Sequence, residues 1–476
     1  MKNAQIGIVG LAVMGANLAR NFADKKIETV VYNRTSEKTL KFCAKYSHRY
    51  LWGATDLEDF VKQIKRPRKI ILMVQAGHAV DEVIKQLAPL LKKGDMILDC
   101  GNSYYKDTER HHSELAKQGI KFIGCGISGG EEGALHGPSL MPGCGKSEWK
   151  NLQMPLEKIA AKDFGGTAAC VTLVGQRGAG HYVKMVHNGI EYAMMEIIAE
   201  TYQMLRVLYK LPAPRIAHVF EDLNSGTLCS YLFEITAQVL KKKDDLTKGY
   251  LIDRILDKAE QKGTGKWTAV DALDRAVPAS TIAEAVFARI TSSQKDRRKK
   301  LNKLYPKSTA TAGSAKSGNR VPYDRFIWLL EQALYAAIVS CYAQGYDLIA
   351  TASKENKWEV NLAEVSRIWQ GGCIIRAKIL QNFRKAFQKK KNAHLFEDAD
   401  TAKELKKKIP SLREIAALAA HNGISAPAFT SALGYFDAIT TENSPANLIQ
   451  ALRDCFGAHT YERTDRKGTF HTDWQN

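Results

Sequence analysis

The chain has 476 residues, which exceeds the length at which a single hydrophobic core usually stops growing, so we expect two or three domains. An apolar fraction of 45% with a charged fraction of 25% is ordinary for a soluble globular protein, and no apolar run has the length needed to span a bilayer. The formal net charge of +19 favours anionic ligands, either nucleic acid or small polyanions.

The basic residues concentrate in predicted loops and helix surfaces, at residues 241–243, 295–307, 389–391 and 406–408. No aromatic residues alternate with them in a stacking pattern, so we interpret them as solvated surface and expect no nucleic-acid partner. For residues 295–307 we predict only an exposed loop. A break rich in glycine, serine and threonine follows at residues 308–319.

The nine cysteines are scattered, and no pair has CxxC spacing. An odd number without metal-ligand spacing argues against both a disulfide framework and a zinc site, and it favours a reducing cytoplasm. The N-terminus leads directly into an apolar strand pattern without the small-residue cleavage site of a secretory signal. We therefore expect a cytoplasmic protein that binds neither a metal nor a membrane.

The first predicted elements are a strand at residues 5–10, a glycine turn, a helix at 16–23 and a second strand at 28–33. This is the context of the Rossmann fingerprint, in which the amides of a helix N-terminus face a pyrophosphate. The turn departs from GxGxxG at its middle position, and the alternative is a turn before an ordinary helix. The flanking strands favour the dinucleotide interpretation. The predicted coenzyme-binding residues of this turn are Gly10, Leu11, Ala12, Val13, Met14 and Gly15.

The second strand ends at Asn33, Arg34 and Thr35. Enzymes that use NAD usually have an aspartate or glutamate there, which accepts a hydrogen bond from the ribose 2′-hydroxyl. An arginine at this place can instead pair with the 2′-phosphate of NADP. We therefore predict that all three residues bind the coenzyme and that NADP is strongly preferred.

Further strands are predicted at residues 69–74, 96–100, 121–125 and 171–174, alternating with helices. In a doubly wound sheet, ligands bind beyond the carboxyl ends of the strands. The glycine-rich segment at 126–134 follows such an end and would let the backbone approach a ligand closely. Other candidates at strand ends are Val74, Gln75, Ala76 and Asn102.

A long helix is predicted from about residue 180 to about residue 208. Lys184, His187, Asn188 and Glu191 project from one side of it, because residues three, four and seven apart lie over one another. A stripe with a possible base and a possible acid suits proton-transfer chemistry. The alternative interpretation is a solvated charged face.

From this helix to the end, the pattern is almost entirely helical, for example at residues 333–346 and 412–420. We predict a Rossmann-like α/β domain at residues 1–176, followed by a large all-helical domain for substrate binding and dimerisation at 177–440. The C-terminal segment with its short tail occupies residues 441–476.

Several strings carry a resemblance to a known family: Lys-Met-Val-His-Asn-Gly-Ile-Glu-Tyr at 184–192, Ser-Gly-Gly-Glu-Glu-Gly within 126–134, and further strings at 261–267, 285–289 and 453–459. Each alone has an ordinary interpretation, such as a glycine-rich loop or an amphipathic helix. In this order and spacing, and behind the dinucleotide motif, they resemble the 6-phosphogluconate dehydrogenase family over essentially the whole chain.

The resemblance implies an oxidoreductase of the pentose phosphate pathway that converts 6-phosphogluconate and NADP to ribulose 5-phosphate, CO2 and NADPH. It implies Lys184 as the base and Glu191 as the acid. It also implies a homodimer in which Arg453 and His459 enter the partner's site, and it assigns coenzyme contacts to Val74, Gln75, Ala76 and Asn102. The implied substrate-binding residues are Asn102, Ser128, Gly129, Gly130, His187, Asn188, Tyr192, Lys262, Thr264, Arg289, Arg453 and His459.

Two alternatives stay open. A related β-hydroxyacid dehydrogenase, such as 3-hydroxyisobutyrate dehydrogenase, shares the Rossmann domain and a catalytic lysine but is much shorter, and Arg289, Arg453 and His459 favour a phosphorylated substrate. A non-catalytic basic protein that binds nucleotides or nucleic acid predicts disruption of the Lys184 and Glu191 pair, which is intact. A free lysine has a pKa of about 10.4, so a base at Lys184 requires surroundings that lower it.

Overall fold

A seven-stranded sheet dominates the N-terminal part of the protein, of which the computed structural model describes residues 3–306 and 321–474. In chain order the strands are β1 (Ile6–Val9), β2 (Thr29–Tyr32), β3 (Leu51–Gly53), β4 (Lys69–Leu72), β5 (Met96–Asp99), β6 (Lys121–Ser128) and β7 (Ser139–Gly143). Their spatial order is β3-β2-β1-β4-β5-β6-β7. The first six strands are parallel and β7 is antiparallel to β6. The order reverses between β1 and β4, which is where doubly wound sheets bind their ligands.

Alternate residues of the strands point into two separate cores, because side chains along a strand alternate between its faces. Ile8 and Ile71 belong to one core, whereas Val9 and Ile70 belong to the other. Both faces are therefore covered by helices, as parallel sheets require. These helices are α1 (Val13–Asp24), α2 (Ser36–Lys45), α3 (Leu57–Lys62), α4 (His78–Leu87), α5 (Tyr105–Ala116), α6 (Gly130–His136) and α7 (Lys146–Ile159), with a 3-10 helix at Ala88–Leu90.

The remainder of the described chain is helical. Its central helix, α8 (Ala179–Leu208), is buried along most of its length and packs on β6, β7 and several later helices. The later helices are α9 (Ala213–Asn224), α10 (Tyr231–Lys241), α11 (Thr264–Asp274), α12 (Ser280–Ser293), α13 (Lys295–Leu304), α14 (Tyr323–Asn356), α15 (Leu362–Ile368), α16 (Leu380–Lys389), α17 (Ala399–His421), α18 (Pro427–Ile439) and α19 (Ala446–Gly457), with 3-10 helices at Leu251–Asp253 and Leu395–Glu397.

A small tail follows α19. Its two short strands, β8 (Tyr461–Glu462) and β9 (Thr469–Phe470), form an antiparallel hairpin. The buried Asp454 of α19 accepts hydrogen bonds from the backbone of Thr472 and the indole of Trp474, so it holds the hairpin against the helix. The fold is therefore a Rossmann-like sheet domain, a large helical domain and a short tail, as the sequence predicts.

Several local predictions were wrong. Residues 171–174 form no strand and make only isolated bridges along β7, whereas β3 and β7 themselves were not predicted. The segment at 126–134 is not a loop, because β6 extends to Ser128 and α6 begins at Gly130. The basic run at 295–307 is an exposed helix through Leu304 rather than a loop. The predicted break at 308–319 lies outside the described residues.

One described helix, α14, has the length and composition to cross a membrane, so the expectation that no apolar run reaches that length was wrong. Its most apolar window is 78% buried inside the protein. Its residues, such as Leu334 and Val339, pack in the main helical core. Its apolar character follows from this central position, since a helix buried on all sides has no polar face.

Candidate active site

The glycine turn after β1 is shaped to bring backbone close to a ligand. Gly10 has a φ of +101°, and a Cβ there would lie 2.5 Å from the carbonyl oxygen of Met73. Only glycine fits both constraints. The turn leads into α1, and the first backbone amides of this helix lie at the switch point of the sheet. Leu11 donates its backbone N–H to Asn33 Oδ1 at 3.2 Å, which ties the turn to the end of β2. This arrangement provides an anion site at a helix N-terminus.

Arg34 lies at the mouth of this turn. Its side chain is exposed and forms no hydrogen bond or ion pair with another residue in the described ranges. The neighbouring side chain of Asn33 donates to the carbonyl of Thr35, which fixes the backbone on either side of the arginine. The guanidinium is therefore free to pair with a phosphate on the ribose of a dinucleotide.

The loops that follow β4 and β5 lie beside the glycine turn. A Cβ at Gly101 would lie 3.3 Å from the carbonyl oxygen of Val74, so the two loops are in close contact. Asp99 accepts hydrogen bonds from the backbone of Gly101 and from Ser103 Oγ, and these bonds shape the loop around the exposed Asn102. The structure thus brings together the predicted coenzyme contacts at this edge: Val74, Gln75, Ala76 and Asn102.

Lys184 lies in α8 where the helix crosses β6. A Cβ at Gly126 would lie 2.3 Å from Lys184 Cβ, so glycine there lets the helix approach the strand closely. The lysine is 6% exposed, and its Nζ donates to Asn188 Oδ1 at 2.8 Å. In the helical stripe predicted from sequence, Lys184, His187 and Asn188 are buried and the Glu191 side chain is 21% exposed, so the interpretation of a solvated face is wrong.

His187 connects the stripe on α8 to the end of β6 and to the segment that contains Cys373. Its Nδ1–H donates to Asn188 Oδ1 at 3.0 Å, so Nε2 is the acceptor. Ser128 Oγ lies 3.1 Å and Cys373 Sγ lies 3.0 Å from that Nε2, and both can donate to it. Ser128 thereby joins the end of β6 to α8. Gly129 and Gly130 follow with positive φ angles and open α6.

Burial sets the protonation states of these groups. It lowers the pKa of Lys184, against the opposing effects of Glu191 and Cys373. It also lowers the pKa of His187 well below its usual range, with Lys184 acting in the same direction. The pKa of Glu191 is raised by burial, which outweighs the attraction of Lys184 and Arg289. All three pKa values are therefore shifted toward the uncharged form of the group, a pattern typical of acid–base sites.

A cationic recess adjoins the stripe. The Arg289 guanidinium carbon lies 3.3 Å from the ring centroid of Tyr192, and Asn188 Nδ2 donates to Thr264 Oγ1 at 3.1 Å. Thr264 begins α11, and the exposed Lys262 precedes it by two residues. An arginine, a lysine and a helix N-terminus in one region suit a phosphate group.

Arg453 and His459 lie apart from this group within the chain. Both are exposed, Arg453 on α19 and His459 just after that helix, where His459 Nδ1 donates to the carbonyl of Arg453 and Arg453 donates to Gln450 Oε1. The structure pairs them with each other and with no other predicted site residue in the described ranges. Over those same ranges, no cluster of histidine, cysteine, aspartate and glutamate is arranged to hold a metal ion.

Comparison with known proteins covers both parts of the chain. Residues 5–175 match the model of the NAD binding domain of 6-phosphogluconate dehydrogenase, and residues 180–474 match that of the 6-phosphogluconate dehydrogenase C-terminal domain. The chain belongs to the 6-phosphogluconate dehydrogenase family. It is 47% identical over 476 residues to the decarboxylating 6-phosphogluconate dehydrogenase of Lactococcus lactis, covering 100% of this chain and 99% of that one.

Other members of the 6-phosphogluconate dehydrogenase family are similarly close. The NADP(+)-dependent, decarboxylating enzyme of Bacillus subtilis is 46% identical, with complete coverage of both chains. The 6-phosphogluconate dehydrogenase of Plasmodium falciparum, whose structures include complexes with NADP+ and with 6-phosphogluconate, superposes with a TM-score of 0.94 at 41% identity, covering 99% of this chain and 100% of that one.

Sequence reasoning missed two parts of this dehydrogenase site. Cys373 is buried against His187, and burial raises the pKa of its thiol to about 12, so it remains a neutral donor. Its segment also contacts the glycine-rich corner, because a Cβ at Gly129 would lie 2.7 Å from the carbonyl oxygen of Gly372. A single cysteine more than 180 residues from its partner gives no spacing signal. The second missed part is Asp271, which ties three elements together behind the site.

Proposed function

We propose that this chain catalyses the oxidative decarboxylation of 6-phosphogluconate to ribulose 5-phosphate and CO2 with reduction of NADP to NADPH. The observation that carries the proposal is the buried stripe of α8 in a member of this family, with the pKa of Lys184 lowered and that of Glu191 raised. One group is thereby prepared to accept a proton and the other to donate one.

The chain's own residues fit NADP. The glycine turn places backbone amides at a helix N-terminus, and the exposed Arg34 supplies a cation for the 2′-phosphate. The carboxyl ends of β4 and β5 add four further residues on this side of the sheet: Val74, Gln75, Ala76 and Asn102. When bound, NADP accepts the hydride that leaves carbon 3 of the substrate.

Lys184 performs the first proton transfer. Its neutral amine takes the proton of the 3-hydroxyl as the carbon 3 hydrogen leaves as hydride, and the product is a 3-keto acid. The hydrogen bond from Nζ to Asn188 Oδ1 holds the amine in place, and Asn188 is held in turn by Thr264. Protonated Lys184 then faces the new carbonyl oxygen and can stabilise negative charge that develops there.

The decarboxylation needs no further base. The carboxylate is β to the new carbonyl, so the C–C bond electrons move toward that carbonyl as CO2 leaves. Lys184 returns its proton to the oxygen and an enediol forms. Glu191 then donates its proton to carbon 1 while Lys184 removes the enediol proton, which gives the ketone of ribulose 5-phosphate. The neutral His187 and the donor Ser128 are assigned to hydrogen bonds with the substrate.

The substrate phosphate is assigned to Tyr192, Lys262, Thr264 and Arg289, which the structure brings to one side of the stripe. Arg453 and His459 are proposed to complete this site from a second copy of the chain, so the enzyme is a homodimer. Helix α19 supports this assignment, because it has an exposed apolar face, and exposed apolar patches are typical of protein–protein interfaces. That face consists of Leu448, Ile449, Leu452 and Phe456.

A cytoplasmic location is part of the proposal. Within the part of the chain that the structure describes, none of the nine cysteines forms a disulfide. Several are deeply buried, and burial raises the pKa values of Cys144 and Cys170 to about 12. Cysteines that stay reduced instead of forming disulfides suit a reducing compartment.

Replacing Arg34 with alanine is expected to lower the ratio of kcat/KM with NADP to kcat/KM with NAD by about 10- to 100-fold. A charge-assisted bond to the 2′-phosphate is worth about 1.5–3 kcal/mol, and NAD lacks that phosphate. The measurement is NADPH or NADH absorbance during 6-phosphogluconate oxidation. Arg49→Ala is the control, because Arg49 is exposed just before β3, at the amino ends of the parallel strands, whereas Arg34 follows the carboxyl end of β2. A ratio that stays unchanged in the Arg34 variant would refute the assignment.

Mixing inactive Arg453→Ala dimers with inactive Lys184→Ala dimers should restore activity after subunit exchange. With shared sites, each hybrid dimer has one site with both changes and one intact site. A fully exchanged equal mixture should therefore reach about a quarter of wild-type activity, since half of its dimers are hybrids. Activity would be followed as NADPH formation, with exchange verified by mass tagging. Verified exchange without recovered activity would contradict shared sites.

A further inference from the structure

A buried carboxylate joins three elements behind the active site. Asp271, in α11, is 1% exposed and accepts hydrogen bonds from Tyr105 Oη at 2.7 Å and from Tyr182 Oη at 2.6 Å. Arg275 Nε donates to the same carboxylate at 2.7 Å, and Arg275 Nη2 donates to Tyr105 Oη at 3.0 Å. We call these four residues the Asp271 cluster. The remaining Arg275 nitrogen, Nη1, donates to Glu355 of α14, which anchors the guanidinium from outside the cluster.

Each of the three elements carries proposed site residues or directly follows one. Tyr105 begins α5 three residues after Asn102, and Tyr182 lies on α8 two residues before Lys184. Asp271 lies on α11 two helical turns after Thr264, which accepts the hydrogen bond from Asn188. One carboxylate therefore links the coenzyme edge of the sheet domain to both helices of the substrate side.

Ring packing strengthens the same junction. The rings of Tyr105 and Tyr182 meet edge to face with centroids 4.9 Å apart, and Tyr104 packs on Trp267 of α11 with centroids 5.0 Å apart. Burial and then the hydrogen bond to Asp271 raise the pKa of Tyr105 well above its usual range, so its phenol remains a donor. The junction is thus a fixed network rather than a loose domain contact.

We propose that Asp271 is a positioning residue that holds the Asn102 loop of the sheet domain in register with α8 and α11. The coenzyme-binding and substrate-binding residues then act as one site. This inference rests on the proposed function, because it assigns Asn102 to contacts with both ligands. Loss of the carboxylate should weaken both ligands together, while Lys184 and Glu191 keep their mutual spacing because both lie on α8.

The test compares Asp271→Asn with Asp95→Asn. Asp95 is an equally buried aspartate that accepts from Arg68 Nη1 at 2.9 Å, but it lies just before β5, at the amino end of the strand whose carboxyl end leads into the Asn102 loop. For Asp271→Asn we expect the KM for NADP and the KM for 6-phosphogluconate each to rise about tenfold, with a smaller fall in kcat. For Asp95→Asn we expect a comparable drop in unfolding temperature and KM values within about twofold of wild type.

A milder variant and a direct binding measurement complete the test. Tyr105→Phe removes one donor and keeps the ring, so both KM values should rise about threefold with little change in unfolding temperature. The Kd of NADP from calorimetry should follow the same order without any turnover. Unchanged KM and Kd values in the Asp271 variant, or equal changes in the Asp95 variant, would overturn the inference. A wild-type chain that binds NADP but does not oxidise 6-phosphogluconate would instead refute the proposed function, and the Kd comparison would still decide the role of Asp271.

Discussion

Lys184→Met should lower kcat for 6-phosphogluconate oxidation by about 10³-fold or more. Methionine matches the length of the lysine stem but removes the only amine on the buried stripe, and a positioned base contributes about 10² to 10⁴ to a rate. The fold should survive, since an apolar side chain replaces an amine that is 6% exposed. The measurement is the steady-state rate of NADPH formation together with the unfolding temperature. A folded variant that keeps more than about a tenth of wild-type kcat would show that Lys184 is not the base.

The pH dependence of activity tests the assignment of Lys184 as the base and Glu191 as the acid. Burial lowers the pKa of Lys184, so the neutral amine is present at lower pH than for a free lysine, and activity should fall as the pH drops through that lowered pKa. Burial raises the pKa of Glu191, so its acid form persists to higher pH, and activity should fall as the pH rises through that raised pKa. We therefore expect a bell-shaped pH profile of kcat.

Glu191→Gln should separate the two halves of the reaction. Glutamine keeps the shape of the side chain but cannot donate a proton to carbon 1, so the enediol step should slow by about 10²-fold while hydride transfer is less impaired. Rapid-mixing absorbance should show a burst of NADPH that precedes ribulose 5-phosphate. The alkaline limb of the pH profile should also disappear.

Glu196→Gln is the matched control for this variant. Glu196 lies on the same helix, and burial raises its pKa too, with Arg289 opposing that rise. It has no assigned role in the reaction, so its removal should leave NADPH and ribulose 5-phosphate in step. If Glu191→Gln also forms both products in step at the wild-type rate, Glu191 is not the acid.

The stripe on α8 was predictable because it depends only on the 3.6-residue helical period and on which residue types recur along it. The same holds for the glycine turn, whose function is encoded in consecutive residues between two strands. The burial of Lys184 was not predictable. It depends on Gly126 approaching from β6 and on α11 closing the other side, and these contacts join residues far apart in the chain.

Other features of the structure could not be predicted from the sequence, for related physical reasons. The strand β3 spans only Leu51–Gly53, which is too short for an alternation pattern to register. Residues 171–174 were predicted to be a strand because the run is apolar. In the structure this segment runs beside β7, but the two are joined only by isolated bridges. Asp271 reads in sequence as an ordinary polar residue of a helix. Its partners come from α5 and α8, so only the tertiary structure reveals the cluster.

One active site should both oxidise and decarboxylate 6-phosphogluconate with NADP. The most direct measurement follows NADPH by absorbance and captures CO2 from the same reaction, with limiting 6-phosphogluconate and either NADP or NAD. We expect equal amounts of NADPH, CO2 and ribulose 5-phosphate, and a much lower rate with NAD at the same concentration. NADPH formation without matching CO2, or no reduction of NADP at all, would contradict it.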